Sequence, residues 1–495
     1  MQVVKCRGRV AARVIAGIAT IALFRDGAGA ADKAPSEDNP ATSAPGQTEH
    51  SLPEALRQLT DPGGLRTKLE QAGLQFAFTY YGDGFGNPRG GVTQGLGYDG
   101  RFGVIIDADL EKLFSWSGLS FHASIHQIHG SQFSASRVQS LATVSGIEAP
   151  ESTRLFNLWV EQKIGSEVNL RLGQFTAAQE FLVSQNAALF VNSTFGWPVL
   201  PAQDLPSGGP AYPEATPGVR LTWTPADQLT LRAAIFNGDP AGPGPGNPVE
   251  RDPYGLAFRL RDPPLLIAEL AYAYNQGTPA PQENPHQEGI VPRTTRPSIG
   301  TGALPGTVKL GGWLHTGQFA DQRFDSLGGL LAVSGAQPLQ HSGNFGLYGM
   351  IDQMLWRAAG KGQGEINAFA RAVVAPSDRN VIDLYLDAGL TYKGLVDSRP
   401  DDIAGLGLAL SRVSPRAAAF DRDLVNVTGT AMPIRDYEVA IELSYQMKLA
   451  ENWSAQPNLQ YIVHPGGHVP DPQDPSGTTP IRDALVFGMR TMLKF

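Results

Sequence analysis

The stretch Leu485-Val-Phe-Gly-Met-Arg-Thr-Met-Leu-Lys-Phe495 decides how this chain is read. Its apolar side chains fall on every second position, and it stops on a phenylalanine. Strand side chains alternate between two faces, so Leu485, Phe487, Met489, Thr491, Leu493 and Phe495 share one face while Arg490 and Lys494 take the other. Lipid against the first face and water against the second is the arrangement of a closing strand in an outer-membrane barrel. A half-buried strand of a soluble sheet alternates in the same way, so the assignment needs the rest of the chain.

The opposite terminus predicts export. Lys5, Arg7, Arg9 and Arg13 precede an apolar run over residues 14–24, and Ala28-Gly29-Ala30 offers a small-residue cleavage site, the pattern of a signal peptide over residues 1–30. That run is too short to span a bilayer, and no later stretch reaches the roughly 18 apolar residues of a spanning helix. The only cysteine, Cys6, lies inside the expected signal peptide, so a mature chain from about Ala31 has no disulfide, thiolate nucleophile or cysteine metal site. With 57 Gly, 38 Pro, 42% hydrophobic residues and a mean hydropathy of -0.16, the bulk composition fits a barrel whose lipid-facing and lumen-facing residues average out. It fits a soluble secreted protein equally. A net charge of -8 and a pI near 5.6 argue against a nucleic-acid partner, while an anion-selective lumen stays compatible because local charge decides that property.

Residues 31–60 read as a periplasmic lead segment: 31–50 carry no large apolar side chain, and 51–59 form a short helix with Ser51 as cap, Pro53 in the first turn, and Leu52, Leu56 and Leu59 at helical spacing. A second short helix is predicted over 65–72, ended by Gly73. Residues 61–495 form the barrel. From Leu74 onward, apolar positions alternate between clusters of Gly, Pro, Asn and Asp, with strands starting near 74, 101, 118, 154, 168, 218, 228, 255, 265, 308, 343, 365, 381, 403, 436, 453 and 484. That is seventeen, and a bacterial barrel takes an even number, so one strand is misassigned. The short connections 224–228 and 449–452 belong on the periplasmic side, and the long Pro/Gly-rich ones at 195–217, 238–254, 276–306 and 465–482 belong outside. The segment 195–217, with six prolines, is either a stiff loop folded into the pore or an exposed flexible one.

The segment 436–448 shows the alternation most clearly. Tyr437, Val439, Ile441, Leu443, Tyr445 and Met447 lie on one face, and Glu438, Glu442, Ser444, Gln446 and Lys448 on the other. Tyr437, Trp453 and Tyr461 suit interfacial girdles. A soluble sandwich or propeller would alternate similarly.

Seven short stretches, in order along the chain, carry a family resemblance. They are Leu65-Arg-Thr-Lys-Leu-Glu-Gln-Ala-Gly-Leu74 after Gly63-Gly64; Leu155-Phe-Asn-Leu-Trp-Val-Glu-Gln162; Leu170-Arg-Leu-Gly-Gln174; Phe236-Asn-Gly-Asp-Pro240; Lys309-Leu-Gly-Gly-Trp-Leu-His-Thr-Gly317; Ala375-Pro-Ser-Asp-Arg-Asn380; and Gln456-Pro-Asn-Leu-Gln-Tyr-Ile462 with Pro465-Gly-Gly467. From about residue 61 to Phe495 the chain resembles the OprB carbohydrate-selective porins. The resemblance implies a 16-stranded antiparallel transmembrane β-barrel of the Gram-negative outer membrane that passes glucose and similar small sugars by diffusion, with outer-membrane lipid around it. The chain differs in carrying Asp61-Pro62 where members more often have an aromatic residue before the glycines.

A sugar is an uncharged, densely hydroxylated ring. A selective pore must replace its water with charged and amide groups, offer an aromatic face to its C–H side, and still release it. If Phe156, Leu158 and Val160 face lipid, then Asn157, Trp159, Glu161 and Lys163 face inward. Asn169 and Arg171 follow on the next strand, and Lys309, Trp313 and His315 on the strand near 308. These nine are the substrate-binding candidates, with Glu161 and Arg171 placed at the constriction. Lumen charges also simply solvate the wall or pair with one another, and either tryptophan also suits packing beneath a loop.

No enzyme or cofactor signature competes. His122, His126 and His129 sit on an alternating strand, which puts His122 and His126 on the lumen side while His129 points the other way or begins a loop, so no metal is expected there. No Gly-x-Ser-x-Gly, His-Glu-x-x-His or phosphate-loop pattern occurs, and the glycine pairs sit in turns. The alternatives left open are a general porin of weak selectivity, an outer-membrane hydrolase, and a soluble binding protein. Nothing in the sequence separates a monomer from a homo-oligomer.

Overall fold

The structure, a computed structural model, describes residues 51–276, 303–358 and 364–495; the expected signal peptide, residues 31–50 and most of the 276–306 connection lie outside them. Sixteen strands run in chain order: β1 (Leu74–Gly91), β2 (Gly95–Asp109), β3 (Leu119–Gly130) and β4 (Ser152–Ile164). Then come β5 (Val168–Phe175), β6 (Thr216–Ala226), β7 (Leu229–Asn237) and β8 (Pro264–Tyr274). The second half has β9 (Gly306–Asp325), β10 (Pro338–Arg357), β11 (Glu365–Val374) and β12 (Ile382–Lys393). It ends with β13 (Ile403–Val413), β14 (Tyr437–Ala450), β15 (Trp453–Val463) and β16 (Arg482–Lys494). Each strand pairs antiparallel with the next, and β1 pairs with β16, so the sheet closes and no edge remains. At the seam, the Phe78 and Phe495 amides each donate to the other residue's carbonyl at 2.9 Å.

The false strand start is 255. Residues 256–263 are an irregular part of the β7–β8 connection outside any strand, with Phe258 at a φ of 42°. Leu256, Phe258 and Leu260 alternate there, but Pro263 and Pro264 follow and have no amide to donate. Length alone assigns the 276–306 connection to the long-loop end, but strand order does not: β8 ends and β9 begins at the short-turn end, where the Ala273 amide bonds to the Gln228 carbonyl at 2.8 Å. The connection between them therefore leaves from the end opposite to the one expected for it.

Burial is inverted relative to a soluble fold. Leu310 and Leu347 on the outer face are 60% exposed, while Asp83 and Glu442 on the inner face are fully buried. Phe487, Met489 and Leu443 face outward as their alternation predicts. A bulge in β4 sets Leu155 opposite Ile125 and Asn157 opposite Ser124, leaving Phe156 unpaired. The extra residue turns Phe156 inward, onto His126 (ring centroids 4.5 Å apart) and Tyr212 (5.8 Å), and not toward lipid.

Among the described residues, two short helices precede the barrel, α1 (Leu52–Leu59) and α2 (Leu65–Ala72). Glu54 accepts the Ser51 amide at 2.8 Å, and Gly73 closes α2 in a left-handed conformation. Arg66 ties α2 to the barrel by donating to the Phe76 carbonyl at 2.5 Å.

The long β5–β6 connection, residues 176–215, folds into the lumen. Phe181, Leu182, Leu189, Phe190, Phe195 and Leu200 pack there against Phe236, Trp313, Tyr348, Phe369 and Tyr385 of the wall. Close approach to β13 depends on missing side chains: a Cβ at Gly405 would lie 2.4 Å from Leu189, and one at Gly407 would lie 2.8 Å from Phe195. The β3–β4 connection also turns inward, where Glu438 receives the Leu141 amide at 2.7 Å and Arg490 reaches Ser145 at 3.1 Å.

Candidate functional site

Strand register brings a row of charged side chains to one level of the inner wall. Glu161 on β4 is paired with Arg171 on β5, and Arg171 with Arg220 on β6. Thr222 is paired with Arg232 on β7, and Arg232 with Glu269 on β8. Lys309 on β9 stands opposite Ala271, two residues from Glu269 and on the same face.

The inward segment completes the row with Glu180. Its carboxylate lies 2.5 Å from Arg171, 3.2 Å from Arg220 and 3.6 Å from Arg232. Glu161 bridges Arg171 and Arg220 at 2.8 and 2.7 Å. Glu269 accepts from the Leu182 amide at 3.1 Å and the Tyr348 hydroxyl at 3.0 Å, and lies 3.7 Å from Arg232 and 3.8 Å from Lys309. Lys309 also donates to the Val183 carbonyl at 2.6 Å. Four cations thus face three carboxylates. Buried charges hold only when so paired, and the forked guanidinium suits this because each Arg serves more than one acceptor. Arg232 is the most water-accessible of the four cations, with 27% of its side chain exposed.

Trp159 props this row. Its indole stacks on the His122 ring at 4.8 Å, and the Arg171 guanidinium sits 3.7 Å from the indole centroid. His122 is in turn held by Asp107 at 2.7 Å.

The segment carrying Glu180 is fixed from the far wall. Arg371 on β11 donates to the carbonyls of Leu182 (2.7 Å), Gly196 (3.1 Å), Thr194 (3.2 Å) and Phe195 (3.1 Å). Asp352 receives Ser184 at 2.6 Å and the Asn186 side chain at 2.9 Å, and Glu442 receives the amides of Val191 (2.7 Å) and Asn192 (2.8 Å). The other inward loop hangs on Glu148, which accepts the Ser134 amide at 2.8 Å and hydroxyl at 2.6 Å; burial pushes its carboxyl up to about 7.

Of the nine residues singled out from sequence, Glu161, Arg171 and Lys309 belong to this row, and Trp159 touches it. Asn157 bonds to Gln179 of the inward segment at 3.3 Å. Trp313 lies in the apolar packing under that segment. His315 is turned toward the long loops, bonded to the Gly238 carbonyl at 3.1 Å and the Gly317 amide at 3.0 Å. Lys163 and Asn169 pair with each other one step from the short 165–167 turn, away from the row. Arg220, Arg232 and Glu269 went unnoticed in sequence although they alternate with Leu221, Leu231 and Leu270, a signal that was available. Glu180 lies outside any strand and carries no such signal.

His122 and His126 share the inner face, while His129 stacks on the outward Tyr80 at 6.1 Å.

Comparison with known proteins agrees with this architecture. A family model described as carbohydrate-selective porin, OprB family, matches residues 93–495. The chain is 25% identical to Porin B of Pseudomonas aeruginosa over 476 residues, covering 92% of this chain and 94% of that one. It is 21% identical to the putative porin QuiX of Acinetobacter baylyi, covering 88% and 92%. The high-pH structure of Pseudomonas putida OprB superposes with a TM-score of 0.73 at 22% identity, covering 88% of this chain and 97% of that one.

Proposed function

Because the chain belongs to the OprB family of carbohydrate-selective porins, we propose that it sits in the outer membrane and lets glucose and similar small sugars diffuse passively into the periplasm. One observation carries this reading: the row of Arg171, Arg220, Arg232 and Lys309 against Glu161, Glu180 and Glu269, set where the inward segment occupies the lumen. A sugar hydroxyl both donates and accepts, so alternating guanidinium and carboxylate groups replace its water on all sides. An uncharged solute gains little from the net field, which keeps binding weak and release fast. Arg232 and Lys309 make the first contacts in this proposal, and Glu161 and Arg171 stand behind them. Trp159 acts here as a positioning residue for Arg171, since His122 and Arg171 already lie against its ring. The end that carries the 165–167 and 227–228 turns, from which the 276–306 connection also leaves, then faces the periplasm, and the end that carries the 238–263 and 464–481 connections faces the exterior. A barrel of this family is a channel and not an enzyme.

The test is single-channel conductance in a planar bilayer with and without millimolar glucose. Current reduced by glucose supports a sugar site. A current indifferent to sugar leaves a general porin, and folded protein that opens no channel overturns the proposal.

A further inference from the structure

At the long-loop rim, apart from the lumen row, three metal-ligating side chains converge. Asp436 lies just before β14, and His464 and His468 follow β15. Their ligand atoms all lie within 4.8 Å of one another. Nδ1 of His464 is 3.0 Å from Asp436 Oδ1, and Nδ1 of His468 is 3.5 Å from Oδ2. The two imidazoles are stacked with centroids 4.2 Å apart. All three side chains are a quarter to two-fifths exposed, so an ion can enter from solvent.

The backbone is shaped to make this meeting. His464 and His468 adopt positive φ of 50° and 74°, a region few non-glycine residues enter and in which His, like Asn and Asp, is enriched. The turn is pinned in four places: Asp483 accepts the His464 amide at 3.0 Å, Glu438 the Gly466 amide at 2.8 Å, the His464 carbonyl the Gly467 amide at 2.9 Å, and the Gly467 carbonyl the Asp436 amide at 3.0 Å. Four-coordinate zinc with bonds of about 2.0 to 2.1 Å separates its donor atoms by roughly 3.3 Å, and the 3.0 and 3.5 Å contacts straddle that value.

We propose that Asp436, His464 and His468 bind one divalent transition-metal ion of the zinc class, with water completing the shell. Two imidazole nitrogens and one carboxylate suit Zn2+, Ni2+ or Cu2+ and disfavour Ca2+ and Mg2+, which take oxygen. The ion replaces the proton between each Nδ1 and the carboxylate; in the neutral imidazole that proton moves to Nε2, so the ligand lone pair is freed without an acid or base from elsewhere. Binding ties the connection before β14 to the one after β15. It does so beside Glu438, which also holds Leu141 of the inward β3–β4 loop.

The test uses the full-length mature protein without a histidine tag, stripped by chelator and titrated with Zn2+ by calorimetry, then with Co2+ followed by its visible absorption. One Zn2+ per chain is expected, with affinity falling at least tenfold in His464→Asn and in His468→Asn, because Asn tolerates positive φ. Asp436→Asn should weaken it similarly. Heat-modified gel mobility establishes that each variant is folded; if one histidine variant fails to fold, the other decides. Folded wild type that binds no Zn2+, unchanged affinity in the folded variants, or displacement by millimolar Ca2+ would overturn the proposal.

Discussion

Arg371 and Asp387, level with each other on β11 and β12, bury their charged groups completely and clasp one another with Nε 3.1 Å from Oδ2. The remaining donors of Arg371 hold four carbonyls of the segment that lies in the lumen. A buried ion pair adds little net stability over an apolar pair, but removing one partner strands the other, at about 3–5 kcal/mol. Arg371→Ala is therefore expected to lower the denaturation midpoint, loosen residues 176–215 and raise single-channel conductance. A variant as stable as wild type, with the same conductance, would show that the aromatic packing alone fixes the segment.

The lumen row has one cation more than its carboxylates, so small anions should cross more readily than cations at neutral pH. Removing Arg232 and Lys309 together leaves two cations against three carboxylates. The double variant to Ala is expected to shift the anion-to-cation permeability ratio by roughly two- to fivefold toward cations, with the difference shrinking as salt screens the row. Reversal potentials in a KCl gradient, at low and high ionic strength, check both parts.

Legibility from sequence followed periodicity. The outward Leu, Phe and Met positions of β14 and β16 stood where alternation put them, because lipid on one side and water on the other repeat every two residues. Alternation cannot by itself tell a ladder-paired strand from a loop, as the stretch after Gly255 shows, and length cannot by itself tell from which end of the barrel a connection leaves, as 276–306 shows. Phe156 misled for a related reason, since a bulge breaks the period locally without any residue type that announces it. Three of the seven members of the lumen row, Arg220, Arg232 and Glu269, were readable by extending parity to β6, β7 and β8. Glu180 was not, because its position depends on contacts with Arg171, Arg220 and Arg232 that are set only when the segment folds inward.

The seam between β1 and β16 ends at its short-turn end in the pair Phe78 and Phe495. Phe78 and Phe495 exchange two backbone hydrogen bonds, and their rings stack at 5.6 Å with Phe102 alongside at 6.2 Å. Two net hydrogen bonds and an aromatic contact amount to about 2–4 kcal/mol. Deleting Phe495 should slow barrel closure and lower the fraction of heat-modifiable folded protein. Phe495→Ala, which keeps the backbone bonds, should lie between the deletion and wild type; equal yields for all three would mean the seam closes without this residue.

Glu148 supplies a pH dependence. Its carboxyl is buried within the inward β3–β4 loop, against Ser134 of the same loop, and raised from 4.5 to about 7 by loss of solvation. A group raised in the folded state favours folding fully below its unfolded value, and that contribution declines as pH rises from about 4.5 and is gone above the folded value near 7. The difference corresponds to about 3 kcal/mol at most. Wild-type stability in denaturant should therefore fall across pH 4.5 to 7 relative to Glu148→Gln, whose side chain stays neutral throughout. Parallel curves for the two proteins over that range would mean that the carboxyl is solvated and the loop is held by its other contacts, the Glu438 bond to Leu141 and the Arg490 bond to Ser145.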